Sequence, residues 1–486
     1  MAKPDMPFRT ATQLAKAIRS REIGCVEALD LYLGRIEAHN PRINAVVVMD
    51  VDGARKAARA ADKATKKGDK VGPLHGVPMT FKESYDVAGL PTTWGDLSYT
   101  SIIAQTDSLA VARFKRAGAT VFGKTNVPVM LADWQSYNPV YGTTSNPWDI
   151  TRSPGGSSGG SAAALAAGLT GLEAGSDIGA SIRNPAHYCG VYGHKPTWGI
   201  VSGKGHALPG KVAQSDIAVV GPLARGTDDL VTAMKVMQGP DEIDGIGWRL
   251  DLPVPRHKKL RDFRVAVMLD DRNSAVDGDV RGLIGALADW LGRHKVKVDV
   301  AARPDIDMDE HQRLYIDLLR TATSGRQSDD LYRHNKDIAA NLSPDDGSYF
   351  ARMARANVAG HRDWLATNER RHQLRLKWAA FFEEYDVLLC PAAASAAFPH
   401  DQMGERYQRT IEVDGMRVPT TDQLFWAGIA SLCYLPATVA PIGLTPRGLP
   451  VGVQIVGPQY GDRTTLRFAR LLEREYYRFV APPGFG

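Results

Sequence analysis

GGSSGGSAAALAAGLTGLEAGSDIGASIRNP, residues 155–185, is the most informative stretch of this chain. Its two glycine- and serine-rich segments, 155–160 and 176–181, predict tight turns, because glycine lets the backbone turn sharply and lets other groups approach closely. The alanine-rich segment between them predicts a helix. Each turn presents serine hydroxyl groups beside accessible backbone, and this arrangement suits an enzyme that transfers acyl groups.

A lysine upstream supplies a base that could activate a serine. Lys82 lies in GVPMTFKES, after an apolar run that predicts a buried strand over Pro78–Phe81. A buried lysine can lose its charge and accept a proton from a serine, so no histidine is needed. Glu83 follows directly, but neighbouring residues on a strand face opposite sides, so the two need not pair. Taken alone, Lys82 could equally be an ordinary exposed lysine at a strand end.

The order of these motifs resembles that of the amidase signature family. GGSSGGS at Gly155–Ser161 and GSDIGASIR at Gly175–Arg183 match its two serine blocks, and Gly76–Ser84 matches its lysine block. Further matches in family order are KTNVP at Lys124–Pro128, YGTTSNPWD at Tyr141–Asp149, GHKPT at Gly193–Thr197 and GLPVGVQIVGP at Gly448–Pro458. The resemblance implies an amide hydrolase with an α/β fold, in which helices flank both faces of a mixed central β-sheet.

The resemblance also implies a role for each catalytic residue. Ser181 is expected to be the nucleophile, Ser157 the serine that carries protons, and Lys82 the base. The peptide bond before Ser157 is expected to be cis. In the implied relay, Lys82 takes a proton from Ser157, Ser157 takes one from Ser181, and Ser181 attacks the carbonyl carbon. The proton then passes to the leaving amine, and water releases the acyl group.

The turn that carries Ser181 predicts an oxyanion hole, because successive backbone N–H groups can converge on one oxygen atom. The predicted donors belong to Ile178, Gly179, Ala180 and Ser181. The family more often has glycine where Ala180 stands, so this position needs either a negative φ or tolerance of strain. Asp177 and Arg183 flank the turn at the spacing of an ion pair, and we expect them to hold it.

The first serine turn also satisfies G-x-S-x-G, the nucleophile elbow of α/β-hydrolases, with Ser158 at its centre. That motif requires a preceding strand, whereas NPWDITRSP, residues 146–154, predicts turns. We therefore interpret Ser158 as a capping or turn serine ahead of the helix.

Aromatic residues give the main indication of substrate choice. Trp134, Phe425 and Trp426 lie where members of the resembled family often line the substrate pocket, which favours an apolar or aryl acyl or amine group. Core packing is the ordinary alternative for such rings. A glutamine-hydrolysing subunit of a tRNA-dependent amidotransferase is the main alternative function, although its DEFAMGSS-like stretch is replaced by NVPVMLADWQSYN at 126–138. Carbamate or ester hydrolysis and a catalytically silent binding protein also stay open.

Composition argues against several other functions. The net charge of +5 is small for 486 residues, and the basic run Arg55–Lys70 alternates with alanine and aspartate, so we expect no nucleic-acid partner. The four cysteines are far apart and the histidines lack zinc-site spacing, so we expect free thiols, no metal and no cofactor. Residues 1–20 lack the apolar segment of a signal peptide, and no apolar run is long enough to span a membrane. We expect a cytoplasmic enzyme with a small-molecule amide substrate, and a homodimer stays open.

Alternating strand and helix patterns predict an α/β core. Residues 9–39 predict two amphipathic helices, the second ended by Asn40-Pro41. We predict one amidase domain over 1–486, with a linker-like excursion at 240–260. Residues 301–430, much of which is helical and polar, are expected to form a cap over the substrate.

Overall fold

The structure, a computed structural model, describes residues 5–486 of the chain. Residues 1–4 of the predicted domain therefore lie outside the described part. The strands are β1 Val46–Met49, β2 Pro78–Lys82, β3 Thr120–Thr125, β4 Tyr137–Asn138, β5 Gly142–Thr143, β6 Glu173–Asp177, β7 Tyr192–Lys195, β8 Val219–Ala224, β9 Arg264–Val267, β10 Lys297–Asp299, β11 Val387–Pro391, β12 Thr410–Val413, β13 Met416–Pro419, β14 Ala437–Leu444 and β15 Pro450–Val456.

Helices separate most of these strands. They are α1 Ala11–Arg19, α2 Cys25–Ile43, α3 Val51–Lys67, α4 Leu109–Arg116, α5 Gly159–Ala166, α6 Arg183–Cys189, α7 Thr227–Met237, α8 Asp244–Gly247, α9 Gly278–Arg293, α10 Met308–Ser324, α11 Asp329–Asn341, α12 Tyr349–Ala356, α13 His361–Glu384, α14 Leu424–Ser431 and α15 Asp462–Glu475. Within residues 5–486, each helix is too short or too polar to cross a membrane.

Among the described residues, the largest sheet has eight strands in the order β10-β9-β11-β15-β14-β7-β8-β6. The pairs β10–β9 and β9–β11 are parallel and the remaining pairs are antiparallel, so the sheet is mixed. Helices α5 and α6 pack on it in contact with each other, and so do α7 and α15. Strands from both halves of the chain share this sheet, and the predicted α/β fold with a mixed central sheet is confirmed.

The strand that carries Lys82 belongs to a separate, smaller sheet. Its order is β1-β3-β2, with β2 parallel and β1 antiparallel to β3. All five residues of β2 are buried, and β2 packs against β6 of the main sheet. Strands β1, β2 and β3 thus form a second layer beside the eight-stranded sheet. The contact between β2 and β6 brings the lysine to the two serine turns.

The end of α2 differs from the sequence prediction. The helix continues past Asn40 and Pro41 to Ile43, and it ends where Asn44 takes a left-handed conformation. The Asn40 side chain accepts hydrogen bonds from the backbone N–H groups of Ala45 and Val46, 2.8 and 2.9 Å away. Pro41 has no N–H to donate to the carbonyl group of Glu37, so this last turn lacks one ladder bond.

Residues 240–260 contain only the four-residue helix α8, in line with their linker-like composition. Beyond them, α10 packs against α12, α13 and α14. Helix α10 also supplies side chains to the cavity described below, so this helical region lies beside the serine turns.

Candidate active site

Lys82, at the end of β2, is fully buried, with 0% of its surface exposed. Its Nζ lies 2.5 Å from Ser157 Oγ and 2.9 Å from Ser176 Oγ. Burial lowers the pKa of Lys82 well below its ordinary value; the negative charge of Asp177 opposes this shift and the positive charge of Arg326 adds to it. The neutral amine is therefore favoured, and a neutral amine can accept a proton from Ser157.

Glu83 does not pair with Lys82. Its carboxylate accepts the backbone N–H groups of Thr93 and Trp94, at 2.5 and 2.9 Å. Burial raises the pKa of Glu83 above its ordinary value. The two neighbouring side chains thus face different surroundings, as their positions on a strand predict, and the alternative of an exposed lysine at a strand end is wrong.

The two serine turns are joined through their backbones. The peptide bond between Gly156 and Ser157 is cis, as the resemblance implies. The Ser158 N–H donates to the Ser181 carbonyl oxygen at 3.1 Å. Gly155 has a φ of +86°, and a Cβ built there would lie 2.6 Å from Asn184 Oδ1, so this position requires glycine.

Asp177 organises the turn that carries Ser181. Arg183 Nη2 and Nε lie 2.8 and 3.0 Å from its two carboxylate oxygens, and both side chains are fully buried. The carboxylate also accepts the N–H groups of Ala180 at 3.1 Å and Ile182 at 3.0 Å. Burial alone would raise the pKa of Asp177, but the Arg183 guanidinium and these donors hold it below its ordinary value. The predicted ion pair across the turn is confirmed.

The predicted oxyanion hole needs one correction. The Ala180 N–H already donates to the Asp177 carboxylate at 3.1 Å. The N–H groups of Ile178, Gly179 and Ser181 have no hydrogen-bond acceptor among residues 5–486. These three donors are available to an oxyanion, whereas the Ala180 N–H stabilises the turn that carries Ser181.

Two aromatic side chains fix the direction of these peptides. Tyr315 donates its hydroxyl to the Ile178 carbonyl oxygen at 2.9 Å, and the Trp134 indole N–H donates to the Gly179 carbonyl oxygen at 2.7 Å. In a planar trans peptide the C=O and N–H bonds point in opposite directions. Tyr315 therefore turns the Gly179 N–H to the other side of the backbone, and Trp134 does the same for the Ala180 N–H.

Ala180 has a φ of +67°, so the chain tolerates strain at this position. The left-handed conformation costs a residue with a side chain about 1–2 kcal/mol. This explains why a glycine is the commoner residue in the resembled motif.

Ser158 is fully buried and its hydroxyl donates to the Ser176 carbonyl oxygen at 3.3 Å. No strand precedes it, so the nucleophile elbow is ruled out here. Ser158 stands at the N-cap of α5, as expected, but its hydroxyl makes no capping hydrogen bond to that helix. It ties the two serine turns together instead.

In the described part of the chain, two cavities meet at Ser181. The larger, about 490 Å³, is lined by Ser157, Ser181 and His206. Its apolar wall consists of Trp94, Val201, Ala207, Leu208, Val212, Ala213, Val219 and Val220. The smaller, about 290 Å³, is lined by the Ser181 turn, by Trp134 and by residues of α10 and α11.

The aromatic predictions have different outcomes. Trp134 lines the smaller cavity and holds the Gly179 peptide. Phe425 and Trp426 are fully buried and line neither cavity, so the prediction that this pair faces the reaction site is wrong. All residues of α14 are buried, and Leu424 is the one that reaches the smaller cavity.

His206 lines the larger cavity and was not singled out from the sequence. Its Nε2 lies 2.8 Å from Ser84 Oγ. Burial lowers the pKa of His206 well below its ordinary value, and the positive charge of Arg326 adds to this effect. The ring is thus neutral. No motif spacing marks it, because it meets the site only through the loop after β7.

Over residues 5–486, no three histidine, cysteine, aspartate or glutamate side chains are grouped as metal ligands. The four cysteines, Cys25, Cys189, Cys390 and Cys433, are all buried and free.

The chain is similar to a family model, to characterised proteins and to solved structures. Residues 27–466 match the family model described as Amidase. The chain is 34% identical to indoleacetamide hydrolase of Bradyrhizobium diazoefficiens, with 96% of this chain and 86% of the relative covered. It is 32% identical to one subunit of the glutamyl-tRNA(Gln) amidotransferase of Acidothermus cellulolyticus, with 97% and 95% covered. A solved structure is also similar, with a TM-score of 0.82 and 28% identity over 97% of this chain and 100% of the other. That structure is described as a vestigial protein complex that reveals the evolutionary origins of an s-triazine catabolic enzyme.

Proposed function

We propose that this chain, which belongs to the Amidase family and is an amide hydrolase, cleaves carboxylic amides through a covalent acyl-serine. The observation that carries the proposal is the buried Lys82 amine, 2.5 Å from Ser157 Oγ, in a site whose cavity is lined by both Ser157 and Ser181. A lysine with a lowered pKa is a base that works at neutral pH, and it replaces the histidine of other serine hydrolases.

The proposed reaction proceeds in two halves. Neutral Lys82 accepts the proton of Ser157, Ser157 accepts that of Ser181, and Ser181 Oγ attacks the carbonyl carbon. The N–H groups of Ile178 and Gly179, with that of Ser181, stabilise the oxyanion. The C–N bond then breaks as Ser157 returns a proton to the amine nitrogen. Water gives a proton to the same relay and attacks the Ser181 ester, and the carboxylic acid leaves as Ser157 returns that proton to Ser181 Oγ.

We further propose that the substrate carries an aryl or apolar group. The apolar wall of the larger cavity supports this, since burial of apolar surface contributes about 25 cal/mol per Å². The relative from Bradyrhizobium diazoefficiens is named for indoleacetamide, which contains an aromatic ring. The leaving amine is assigned to the larger cavity, because Ser157 lines that cavity and would protonate it.

The helical region is proposed to act as the substrate cap. Residues 308–335 of α10 and α11 contribute to the smaller cavity, and residues 322–326 border the larger one. We assign the enzyme to the cytoplasm, because four buried free thiols suit a reducing compartment.

The function is tested by measuring amine release across aryl, alkyl and amino-acid amides. We expect an anilide to be cleaved by the unaltered enzyme and by Ser158→Ala, and not by Ser181→Ala. The matched serine variants lie in the same two turns, so general damage to the turns would affect both. Equal activity of Ser181→Ala and the unaltered enzyme would contradict the proposal.

Glutamine hydrolysis is the main alternative function, because the chain is also similar to the amidotransferase subunit of Acidothermus cellulolyticus. Asp133 lines the smaller cavity, but Arg409 Nη1 already lies 2.7 Å from its carboxylate, which leaves it poorly placed to receive an α-ammonium group. Competition between an anilide and glutamine decides the matter: a higher kcat/KM for glutamine would favour the amidotransferase function. The same panel extended to an aryl carbamate and an aryl ester tests the remaining alternatives.

A further inference from the structure

Three arginines line the smaller cavity without a carboxylate partner. Arg320, Arg326 and Arg406 all border this space beside Ser181, and within residues 5–486 none of them forms a salt bridge. Asp133 also lines the cavity, but its carboxylate pairs with Arg409. The cavity therefore carries a net positive charge directly beside the proposed nucleophile.

The guanidinium groups keep donors unused. Arg326 donates to the Met130 carbonyl oxygen at 3.3 Å and lies over the Trp94 ring. Arg320 donates to the Tyr349 hydroxyl, while its Nε has no partner in the described part of the chain. The Arg406 guanidinium makes no hydrogen bond to any of residues 5–486. All three residues are partly exposed, and all three line the cavity.

Buried arginines elsewhere in this fold pair with a carboxylate or donate to several protein oxygens, although the Nε of Arg225 has no partner among the described residues. Arg183 pairs with Asp177, and Arg371 Nη1 lies 2.8 Å from an Asp216 oxygen. Arg225, which has no carboxylate partner, donates to several backbone carbonyl groups, including that of Thr170 at 2.6 Å. In the smaller cavity, by contrast, Arg320 and Arg326 each donate to a single protein group and Arg406 to none among residues 5–486, so these guanidinium groups keep donors for a ligand.

The cavity arginines also repel one another. Burial lowers the pKa of Arg320 well below its ordinary value, and the positive charge of Arg406 lowers it further. Burial likewise lowers the pKa of Arg406; the negative charge of Asp133 opposes this shift and the positive charge of Arg409 adds to it. An anion between these groups would relieve the repulsion and accept charge-assisted hydrogen bonds from the unused donors.

We propose that the smaller cavity binds a carboxylate on the acyl part of the substrate, so that half-amides of dicarboxylic acids are preferred. This inference rests on the proposed function, because Ser157 lines the larger cavity and the amine would leave on that side. The acyl group then extends from Ser181 into the smaller cavity, toward the three arginines. An aryl amine in the larger cavity and an anionic acyl chain in the smaller one are compatible.

The test compares two chromogenic substrates that differ in charge. Glutaryl mono-4-nitroanilide and hexanoyl 4-nitroanilide release the same amine and have acyl chains of similar length. We expect kcat/KM to be at least tenfold higher for the glutaryl compound, and Arg406→Met to reduce this ratio about tenfold. Arg333→Met, on exposed α11 with 71% of its side chain accessible, is the matched control and should leave the ratio unchanged. Thermal unfolding checks that each variant folds.

Glutarate binding to Ser181→Ala supplies a measurement that needs no catalysis. Calorimetry is expected to detect binding that weakens at least tenfold when Arg406→Met is added. Equal kcat/KM for the two anilides, together with no Arg406-dependent glutarate binding, would overturn the carboxylate site while leaving amide hydrolysis by Ser181 intact. Failure of Ser181→Ala to stop 4-nitroaniline release would instead refute the proposed function, and the glutarate measurement would still decide the subsite.

Discussion

Removal of the Arg183 guanidinium should both destabilise the protein and slow the reaction. Arg183 bonds Asp177 through two nitrogens, and it also donates to the Ala427 carbonyl oxygen at 3.0 Å, to Gln454 Oε1 at 2.6 Å and to Ser431 Oγ at 2.8 Å. In Arg183→Met, the fully buried Asp177 loses its counter-charge and keeps its backbone N–H donors. This substitution therefore disrupts the Asp177–Arg183 ion pair, which holds the Ser181 turn.

The expected loss of stability follows from the complete burial of both side chains of the ion pair. Breaking a buried ion pair by removing one partner costs about 3–5 kcal/mol, because an uncompensated charge remains. Unfolding entropy is about 2.1 cal/mol/K per residue, so a chain of 486 residues loses roughly 1 °C of Tm for each kcal/mol. We expect the Tm of Arg183→Met to fall by about 3–5 °C. Its kcat should fall as well, because the Ala180 and Ile182 N–H groups depend on the same carboxylate.

Scanning calorimetry of the full chain measures the Tm, and anilide hydrolysis measures kcat. Arg333→Met serves as the control, since its surface ion pair contributes little. The double variant Asp177→Asn/Arg183→Met should recover part of the lost Tm, because it removes the unpaired charge. A Tm of Arg183→Met within about 1 °C of the unaltered protein would refute the role given to this pair.

Four further perturbations probe the site, one a change of pH and three substitutions. Burial lowers the pKa of Lys82, so the amine loses its proton below its ordinary range; kcat/KM should rise with pH until Lys82 is neutral, and a flat rate from about pH 5 to 9 would contradict this. Lys82→Ala should cost several orders of magnitude in kcat, and near-normal turnover would exclude Lys82 as the base. Tyr315→Phe removes the bond to the Ile178 carbonyl oxygen and should lower kcat roughly threefold to tenfold with little change in KM, as measured by steady-state kinetics. Ala180→Gly relieves about 1–2 kcal/mol of left-handed strain but loses a buried methyl group and gains chain entropy, so its Tm should shift by less than about 2 °C.

Local patterns in the sequence predicted much of this fold. The alanine-rich segment between the two serine turns predicts a helix, and α5 forms there over Gly159–Ala166. The apolar run before Lys82 predicted a buried strand, because a run without polar positions has no face to present to water. The Asp177–Arg183 pair was also predictable from local sequence, since six residues of separation can close across a single turn.

Long-range packing was not predictable in the same way. Arg320, Arg326 and Arg406 share one cavity only because α10 and the segment before β12 fold against the Ser181 turn. The position of Phe425 beside a matched segment did not reveal its orientation, because α14 is apolar on every side and offers no polar face to orient it. The apolar run before Lys82 predicts a strand but not its pairing partners, so the separate layer that carries Lys82 emerged only from the structure.

The central claim is that Ser181 forms the acyl-enzyme, and mapping a covalent adduct tests it most directly. A fluorophosphonate or a slowly deacylating aryl ester is allowed to react with the full chain, and the modified peptide is fragmented in a mass spectrometer. Trypsin leaves residues 153–183 as one peptide that contains Ser157, Ser158, Ser176 and Ser181, so fragmentation must locate the adduct within it. The account predicts one adduct, on Ser181, that is absent from Ser181→Ala and much slower to form in Lys82→Ala. An adduct on Ser158, or unchanged labelling of Ser181→Ala, would contradict it.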